Sequence, residues 1–255
     1  PTSAAASVAS SPSASELPTT ATRRPRGSGW WASSWATSNI SSRVSTAVDE
    51  TTGIVPNHLL STDPADVPDG WFVTESLDRG SGLVTREAYR DYRLVVEFRW
   101  GPATWGNRKN AARDSGVLIH GQGPDGNTGA DGNGAWMRSV EAQVIEGGVG
   151  DFILVAGFDT EGRKLTPRMT VRAGTDRDGE PVFDPKGEAR EFDSGRINWF
   201  GRDPDWADRL GFRGRQDVES PYGEWTRLEV IAEGDRVTNV VNGTVVNEGT
   251  RSSLT

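Results

Sequence analysis

Apolar and polar residues alternate with a period of two along several short segments, and the clearest segment is residues 91–100. Its apolar face carries Tyr92, Leu94, Val96, Phe98 and Trp100. Its other face carries Arg93, Val95, Glu97 and Arg99. Side chains alternate between the two faces of a β-strand, so this pattern predicts a half-buried strand whose apolar face lies against a core.

Further strands are predicted wherever β-branched and aromatic residues form short runs between turn residues. These runs are residues 70–74, 82–85, 116–120, 139–145, 151–156, 165–171, 225–233, 236–241 and 244–246. Asn242-Gly243 lies between two of them, which is the pairing that a tight hairpin turn requires. No amphipathic helix of normal length is visible, so we predict an all-β fold, and this many strands favour a sandwich over a small barrel.

The composition narrows the classes of function. The formal net charge of −8 argues against nucleic acid as a partner, because binding to phosphates needs clustered Lys and Arg. The chain has no cysteine, which excludes disulfides, thiolate nucleophiles and Cys-ligated zinc. It has no apolar run long enough for a transmembrane helix.

The predicted strands are unevenly distributed along the chain. Residues 1–29 are rich in Ala, Ser, Thr and Pro, and we predict that they are disordered. Residues 30–69 have no clear period and form a loop-rich segment that cannot be assigned. Residues 70–255 are predicted to form the β-sandwich domain.

Chemically useful side chains concentrate on two predicted strands. His120, one of only two histidines, ends the first strand, and the second carries Glu141 and Gln143 and leads into Glu146. An imidazole close to carboxylates predicts either an acid/base site or a metal site. Glu141 and Gln143 also fit an ordinary solvent-facing sheet surface, and Glu146 has the opposite parity unless a bulge intervenes.

Two loops carry further candidates. Residues 121–135 are rich in Gly, Asp and Asn and would form either a calcium site or a plain flexible loop. Four tryptophans lie in predicted loops, namely Trp105, Trp136, Trp199 and Trp206. Each would either stack on a sugar ring or pin its loop to the core, and we favour stacking for Trp105 and Trp136. The charges of Arg202, Asp203 and Asp205 are expected to be solvated.

Five segments together resemble the 3-keto-disaccharide hydrolase domain family in order and spacing, over about residues 70–250. They are Tyr89 to Trp100, Asp114 to His120, Ser139 to Glu146, Gly223 to Val230, and Val241-Asn242-Gly243. The resemblance implies a concanavalin A-like jelly-roll β-sandwich of two antiparallel sheets. It also implies hydrolysis or lyase-type cleavage of glycosides that carry a ketone at carbon 3, and a carbohydrate partner.

This chemistry assigns roles to the candidate residues. The ketone acidifies the proton at carbon 2, so the site needs a base, a stabiliser for the enolate and a proton donor for the leaving group. His120, Glu141 and Glu146 are the candidate catalytic groups, with His120 and Glu141 each either a base or a metal ligand. A divalent cation (Ca²⁺, Mg²⁺ or Mn²⁺) would serve as Lewis acid, and no organic cofactor is expected.

The candidate substrate-binding residues are Gln143, Glu97, Arg99, Trp105 and Trp136. Gln143 would bind a sugar hydroxyl, and Glu97 and Arg99 would do so if they lie on the same face as Glu141. A second hypothesis is a lectin-like carbohydrate-binding module without catalysis, which would tolerate loss of His120.

Both ends of the chain depart from the family pattern. The usual opening strand is not found in residues 30–70, and the chain stops at Thr255, so we expect a truncated sandwich. A periplasmic or secreted location is expected from the family and from the composition of the first residues.

Overall fold

The computed structural model of the chain describes residues 88–104, 108–124, 126–129 and 136–251, together with the backbone of six strands before residue 86. The first seven strands are β1 (Ala5–Val8), β2 (Gly29–Ser34), β3 (Ser38–Arg43), β4 (Val55–Pro56), β5 (Trp71–Thr74), β6 (Ser81–Thr85) and β7 (Tyr92–Thr104). The next six are β8 (Asp114–Gln122), β9 (Arg138–Ile145), β10 (Phe152–Val155), β11 (Gly157–Phe158), β12 (Lys164–Leu165) and β13 (Met169–Thr175). The last six are β14 (Pro181–Phe183), β15 (Glu188–Phe192), β16 (Gly195–Ile197), β17 (Thr226–Glu233), β18 (Arg236–Val241) and β19 (Thr244–Arg251).

These strands form two large antiparallel sheets and one small one. The ten-stranded sheet has the order β14-β13-β19-β18-β17-β7-β3-β1-β4, with β15 also paired to β13. The seven-stranded sheet has the order β16-β10-β9-β8-β2-β6-β5, and β11 pairs with β12. The described residues contain no α-helix. The predicted all-β sandwich of antiparallel sheets is confirmed.

The hydrophobic core lies between the two large sheets. The ten-stranded sheet contributes alternate residues of β7 and β17, such as Phe98 and Leu228, and both are fully buried. The seven-stranded sheet contributes Ile119 of β8 and Ala142 of β9. Each sheet therefore has an inner face toward this core and an outer face away from it, and the period-two pattern assigns each strand residue to one of them.

The hairpin of β18 and β19 follows the sequence prediction. Asn242 and Gly243 form its turn with φ angles of 47° and 82°. A two-residue turn with positive φ at both positions matches the twist of the two strands that it joins, which is why Asn-Gly is favoured there. The side-chain amide of Asn242 also donates to Val218 O at 2.8 Å, so the hairpin is tied to the segment that precedes β17.

The predictions for residues 1–29 and for residues 30–69 concern segments that the structure describes only in part. Of residues 1–29, the structure describes the backbone of β1 and the start of β2. Of residues 30–69, it describes the backbone of β2, β3 and β4. The last four residues and most of residues 1–29 lie outside the described part, so the expectations for both ends of the chain stay predictions.

Candidate active site

Glu141 and Gln143 lie on the outer face of the seven-stranded sheet. They alternate along β9 with Val140, Ala142 and Val144, which belong to the core. An outer face usually contacts water, yet Gln143 is only 4% exposed and Glu141 is partly exposed. This part of the outer face is therefore largely withdrawn from solvent, and Glu141 keeps partial exposure.

Gly116 of β8 provides the space that the Glu141 carboxyl occupies. In the β8–β9 register Gly116 faces Gln143, and Leu118 faces Glu141. A Cβ atom added to Gly116 would lie 1.8 Å from Oε1 of Glu141 and 2.7 Å from its Cδ. The Glu141 side chain thus extends across β8 and lies over Gly116 instead of over its direct partner Leu118. Any side chain at position 116 would displace it. Glycine is required here for a close approach rather than for its backbone freedom.

Asp114 joins Glu141 and Gln143 at this site, although the sequence analysis did not identify it as a candidate. Nε2 of Gln143 donates to Oδ1 of Asp114 at 2.9 Å, and both side chains are buried. The guanidinium of Arg108 lies 3.7 Å from Oδ2 of Asp114. The sequence signal was available, because Asp114 is two residues before Gly116 and therefore shares its face in the strand next to β9.

The two carboxyl groups of this site differ in proton affinity. Burial raises the pKa of Asp114 to about 6, against the opposing effect of Arg108 and Arg196. Burial raises the pKa of Glu141 to about 8, with a further increase from the nearby charge of Asp114. Near pH 7 the pair therefore holds one carboxylate and one carboxylic acid, an arrangement that separates a proton acceptor from a proton donor.

Arg196 supplies the nearby positive charge and was also missed from the sequence. The register of β9, β10 and β16 places Glu141, Ile153 and Arg196 in one row across the sheet. Nη1 of Arg196 donates to Oδ2 of the buried Asp151 at 2.9 Å. Its charge opposes the rise in pKa at both Asp114 and Glu141. No period along the chain indicates this position, because three strands must pair before Arg196 meets Glu141.

Trp136 is one predicted substrate-binding residue that the structure brings to this face. It packs against a small apolar cluster formed by Leu118 and Met137. Leu118 is the direct partner of Glu141 in the sheet. Trp136 is partly exposed, so it lies at the border between this cluster and solvent. Trp105 lies outside the described residues.

His120 is turned away from the outer face by a bulge in β8. The register shifts between Ile119 and Gln122, and His120 has a φ of 52°. Its Nε2 lies 3.4 Å from the hydroxyl of Tyr92, which belongs to the ten-stranded sheet and packs on the core. Burial, together with the charges of Arg251 and Arg138, lowers the pKa of His120 to about 3. The imidazole is neutral near pH 7 and is a weak proton acceptor there.

Glu146 also lies apart from the outer-face groups. It is 1% exposed and forms an ion pair with the buried Arg113. Its Oε2 accepts hydrogen bonds from the backbone N–H groups of Arg113 at 2.9 Å and Gly211 at 3.1 Å. These partners use both carboxylate oxygens of Glu146, which connects the end of β9 to β8 and to the 196–223 segment.

Glu97 and Arg99 do not share a face with Glu141. They lie on β7 in the ten-stranded sheet, and their neighbours Val96, Phe98 and Trp100 are in the core. Glu97 faces Arg227 of β17 on the outer side of that sheet. The whole core separates them from Glu141, so the expectation of a common face is wrong. Strand parity identifies the two faces of one strand but does not say to which sheet the strand belongs.

The tryptophans of the 196–223 segment pin it to the sheet. Trp199 is 2% exposed and its Nε1 donates to Gly147 O at 3.0 Å. Nε1 of Trp206 donates to Glu146 O at 2.8 Å. The expected solvation of Arg202 is wrong, because Arg202 is 8% exposed and its Nη1 donates to Asp151 at 2.6 Å. Arg202 and Asp151 are buried because the 196–223 segment folds over the sheet. The polarity of the neighbouring residues in the sequence does not indicate this.

The calcium hypothesis for residues 121–135 falls mostly outside the described residues. Asn127 is described, and it is buried, with Oδ1 accepting from the Arg138 N–H at 2.7 Å and Nδ2 donating to Gln122 O at 2.6 Å. Within the described ranges, no group of three or more Asp, Glu and His side chains is placed to hold a metal ion. No helix in this part of the chain is long and apolar enough to cross a membrane.

Comparison with known families agrees with the resemblance seen in the sequence. The model of the 3-keto-alpha-glucoside-1,2-lyase-like domain matches residues 28–255. The chain belongs to this family, whose name describes an enzyme type that acts on glycosides. A carbohydrate-related function follows from this membership. No curated protein and no solved structure matches the chain at a significant level.

Proposed function

We propose that the protein cleaves the glycosidic bond of 3-keto-glycosides, with Asp114 as the base and Glu141 as the acid. The observation that carries this proposal is the pair of carboxyl groups on one face of the sheet, Asp114 held by Gln143 and Glu141 placed over Gly116. The family name points to a lyase reaction on a 3-keto-α-glucoside, in which the proton on carbon 2 and the oxygen substituent on carbon 1 are both removed. That reaction needs one proton acceptor and one proton donor.

Asp114 is the group suited to remove the proton from carbon 2. The ketone at carbon 3 acidifies that proton, and the electron pair of the broken C–H bond forms an enolate. With a pKa of about 6, Asp114 is mostly ionised near pH 7 and still has appreciable affinity for a proton. Arg108 and Gln143 both contact its carboxylate, so its orientation is constrained.

Glu141 is the group suited to protonate the leaving oxygen. When the enolate collapses, a double bond forms between carbons 1 and 2, and the bond from carbon 1 to the leaving oxygen breaks. The oxygen takes the proton of Glu141, whose pKa of about 8 keeps it protonated near pH 7. Arg196 lies close enough to affect both carboxyl groups and would stabilise the enolate oxygen by its charge. Water adding to the double bond would complete a hydrolysis.

Leaving-group ability separates the two roles. A p-nitrophenyl 3-keto-α-glucoside releases an anion that needs no proton, whereas a 3-keto-disaccharide releases a sugar alkoxide that does. We expect Glu141→Gln to lose about 10²-fold or more on the disaccharide and far less on the nitrophenyl substrate. Asp114→Asn should lose both activities. Glu97→Gln, a carboxylate change on the opposite outer face, is the matched control and should keep both.

Proton exchange tests the base directly. A 3-keto sugar without a leaving group should exchange its carbon 2 proton in D₂O, followed by NMR, with the wild-type protein and with Glu141→Gln but not with Asp114→Asn. Exchange that survives in Asp114→Asn would refute the assignment. Binding of the keto sugar without exchange or release, by folded wild-type protein, would favour the lectin-like binding module instead.

The divalent cation and the periplasmic or secreted location stay predictions. Aglycone release that falls after exhaustive EDTA treatment and returns with Mn²⁺ or Ca²⁺ would support the cation. Release that is unchanged by EDTA would remove it from the mechanism. Cell fractionation of the producing organism would test the location.

A further inference from the structure

A groove lies away from Glu141, at the β14 edge of the ten-stranded sheet. Its volume is about 780 Å³, within the range of about 300–1,000 Å³ typical of small-molecule sites. Its walls come from β13, β14, the β18–β19 hairpin and the residues that follow β16. None of the residues assigned above to proton transfer lines this groove, which we call the Phe200 groove.

An exposed aromatic ring forms part of its wall. Phe200 is 41% exposed, although its neighbour Trp199 is buried. The two rings meet edge to face, with centroids 5.2 Å apart, and the backbone N–H of Phe200 donates to Val246 O at 3.2 Å. Val245 beside it is 47% exposed. The ring is thus fixed by the fold while its surface stays in solvent, where a ligand can stack on it.

Three carboxylates line the same groove, and each is oriented by its own chain. Oδ1 of Asp176 accepts from two backbone N–H groups at 2.9 Å each, and Oδ1 of Asp184 accepts from the Lys186 N–H at 2.8 Å. Oε2 of Glu248 accepts from the Thr238 hydroxyl at 3.1 Å. Within the described part of the chain, the second oxygen of each carboxylate accepts no hydrogen bond. Three preoriented acceptors are therefore available to a ligand.

A buried arginine forms part of the groove wall. Arg202 lines the groove and is 8% exposed, and its Nη1 is bound to Asp151. Its Nε–H is buried and has no acceptor among the described residues. Its guanidinium carbon also lies 4.0 Å from the centroid of the Trp206 ring. Arg202 is thus held in place by the fold at the groove wall, where its signals report on a ligand.

The combination selects a neutral polyol over other ligands. The three carboxylates repel anions, and within the described ranges no group of three or more Asp, Glu and His side chains is placed to hold a metal ion. A pyranose ring offers an apolar face of C–H groups for the Phe200 ring and hydroxyls for the three carboxylate acceptors. We propose that the Phe200 groove is a second, non-catalytic binding site for a neutral saccharide. This proposal does not depend on Asp114 or Glu141.

Affinity electrophoresis and NMR of the whole chain test this proposal. The probes are soluble starch, dextran and xyloglucan in native gels, and maltose, cellobiose and trehalose in ¹⁵N-HSQC titrations. At least one probe should shift the Nε–H signal of Arg202. Phe200→Ala should weaken this binding at least tenfold, and Glu248→Gln should weaken it too. Tyr222→Ala is the matched control, because Tyr222 is 55% exposed but lies outside the groove.

The outcomes separate this site from the proposed active site. Glu141→Gln should bind the probe as the wild type does, and Phe200→Ala should retain release of p-nitrophenol from the small keto substrate. Binding that survives in Phe200→Ala, or is lost equally in Tyr222→Ala, would overturn the proposal. The same conclusion follows if no saccharide probe shifts the Arg202 signal, or if Ca²⁺ or a basic peptide occupies the groove instead.

Discussion

Replacing Gly116 with alanine should displace the Glu141 carboxyl group while leaving the residue itself unchanged. The new Cβ would lie 1.8 Å from Oε1, 2.7 Å from Cδ and 3.0 Å from Cγ of Glu141, whereas carbon atoms in contact prefer about 3.5–4.0 Å. Oε1 must therefore move by roughly 2 Å. A misplacement of about 1 Å can already cost about 10²-fold in rate, so kcat/KM on a 3-keto-disaccharide should fall about 10²-fold or more.

Stability should change little in the same variant. Alanine in a strand interior gains about 0.5–1 kcal/mol over glycine, and a displaced Glu141 rotamer costs about 0.5–1.5 kcal/mol. These terms nearly cancel, because the obstructing atoms are the end of a flexible side chain rather than backbone. We expect the free energy of unfolding in urea to stay within about 1 kcal/mol of the wild type.

The control for this variant is Gly174→Ala in β13, where an added Cβ would meet nothing nearer than 3.8 Å. It should keep both stability and activity. Gly116→Ala with wild-type turnover of the disaccharide would refute the role of Glu141 in this position. A loss of several kcal/mol in stability would instead show that Gly116 serves the packing of the sheet.

Three further predictions follow from the buried ionisable groups. Burial raises the pKa of Glu141 to about 8, so its stabilising effect is complete below the ordinary pKa of 4.5 and is lost as pH rises through 8. Urea unfolding should show lower stability at pH 8.5 than at pH 5.5, and Glu141→Gln should reduce that difference; an unchanged difference would contradict the assignment. Glu146→Gln breaks the buried pair with Arg113 and should cost about 3–5 kcal/mol in urea unfolding, while both limbs of the pH–rate profile remain. Full stability with abolished turnover would make Glu146 catalytic after all. His120→Asn keeps a residue that tolerates a φ of 52°, and it should retain both limbs of the profile, whereas loss of one limb would identify His120 as a proton-transfer group.

Several features of this protein follow from the sequence alone. The period-two alternation of β7 and β9 determines which side chains are apolar and inward, so the inner position of Phe98 and the outer position of Glu141 were predictable. The Asn242-Gly243 turn is likewise local, because positive φ at two successive positions is a property of those residues. The five family-like segments were sufficient for the family, which the match to residues 28–255 confirms.

The composition of the site was decided only by the tertiary structure. Gln143 meets Asp114 because β8 and β9 pair in one register, and a shift by one residue would send Asp114 to the other face. The bulge at His120 turns its ring toward Tyr92, although the alternation of β8 predicts the outer face.

Glu97, like Glu141, is a carboxylate that alternates with core residues along its strand. It nevertheless lies on the far side of the core, because β7 belongs to the other sheet. Periodicity along one strand records which side chains are buried. Cross-strand register, sheet membership and the space above Gly116 depend on residues far apart in the sequence, so they were determined only when the strands paired.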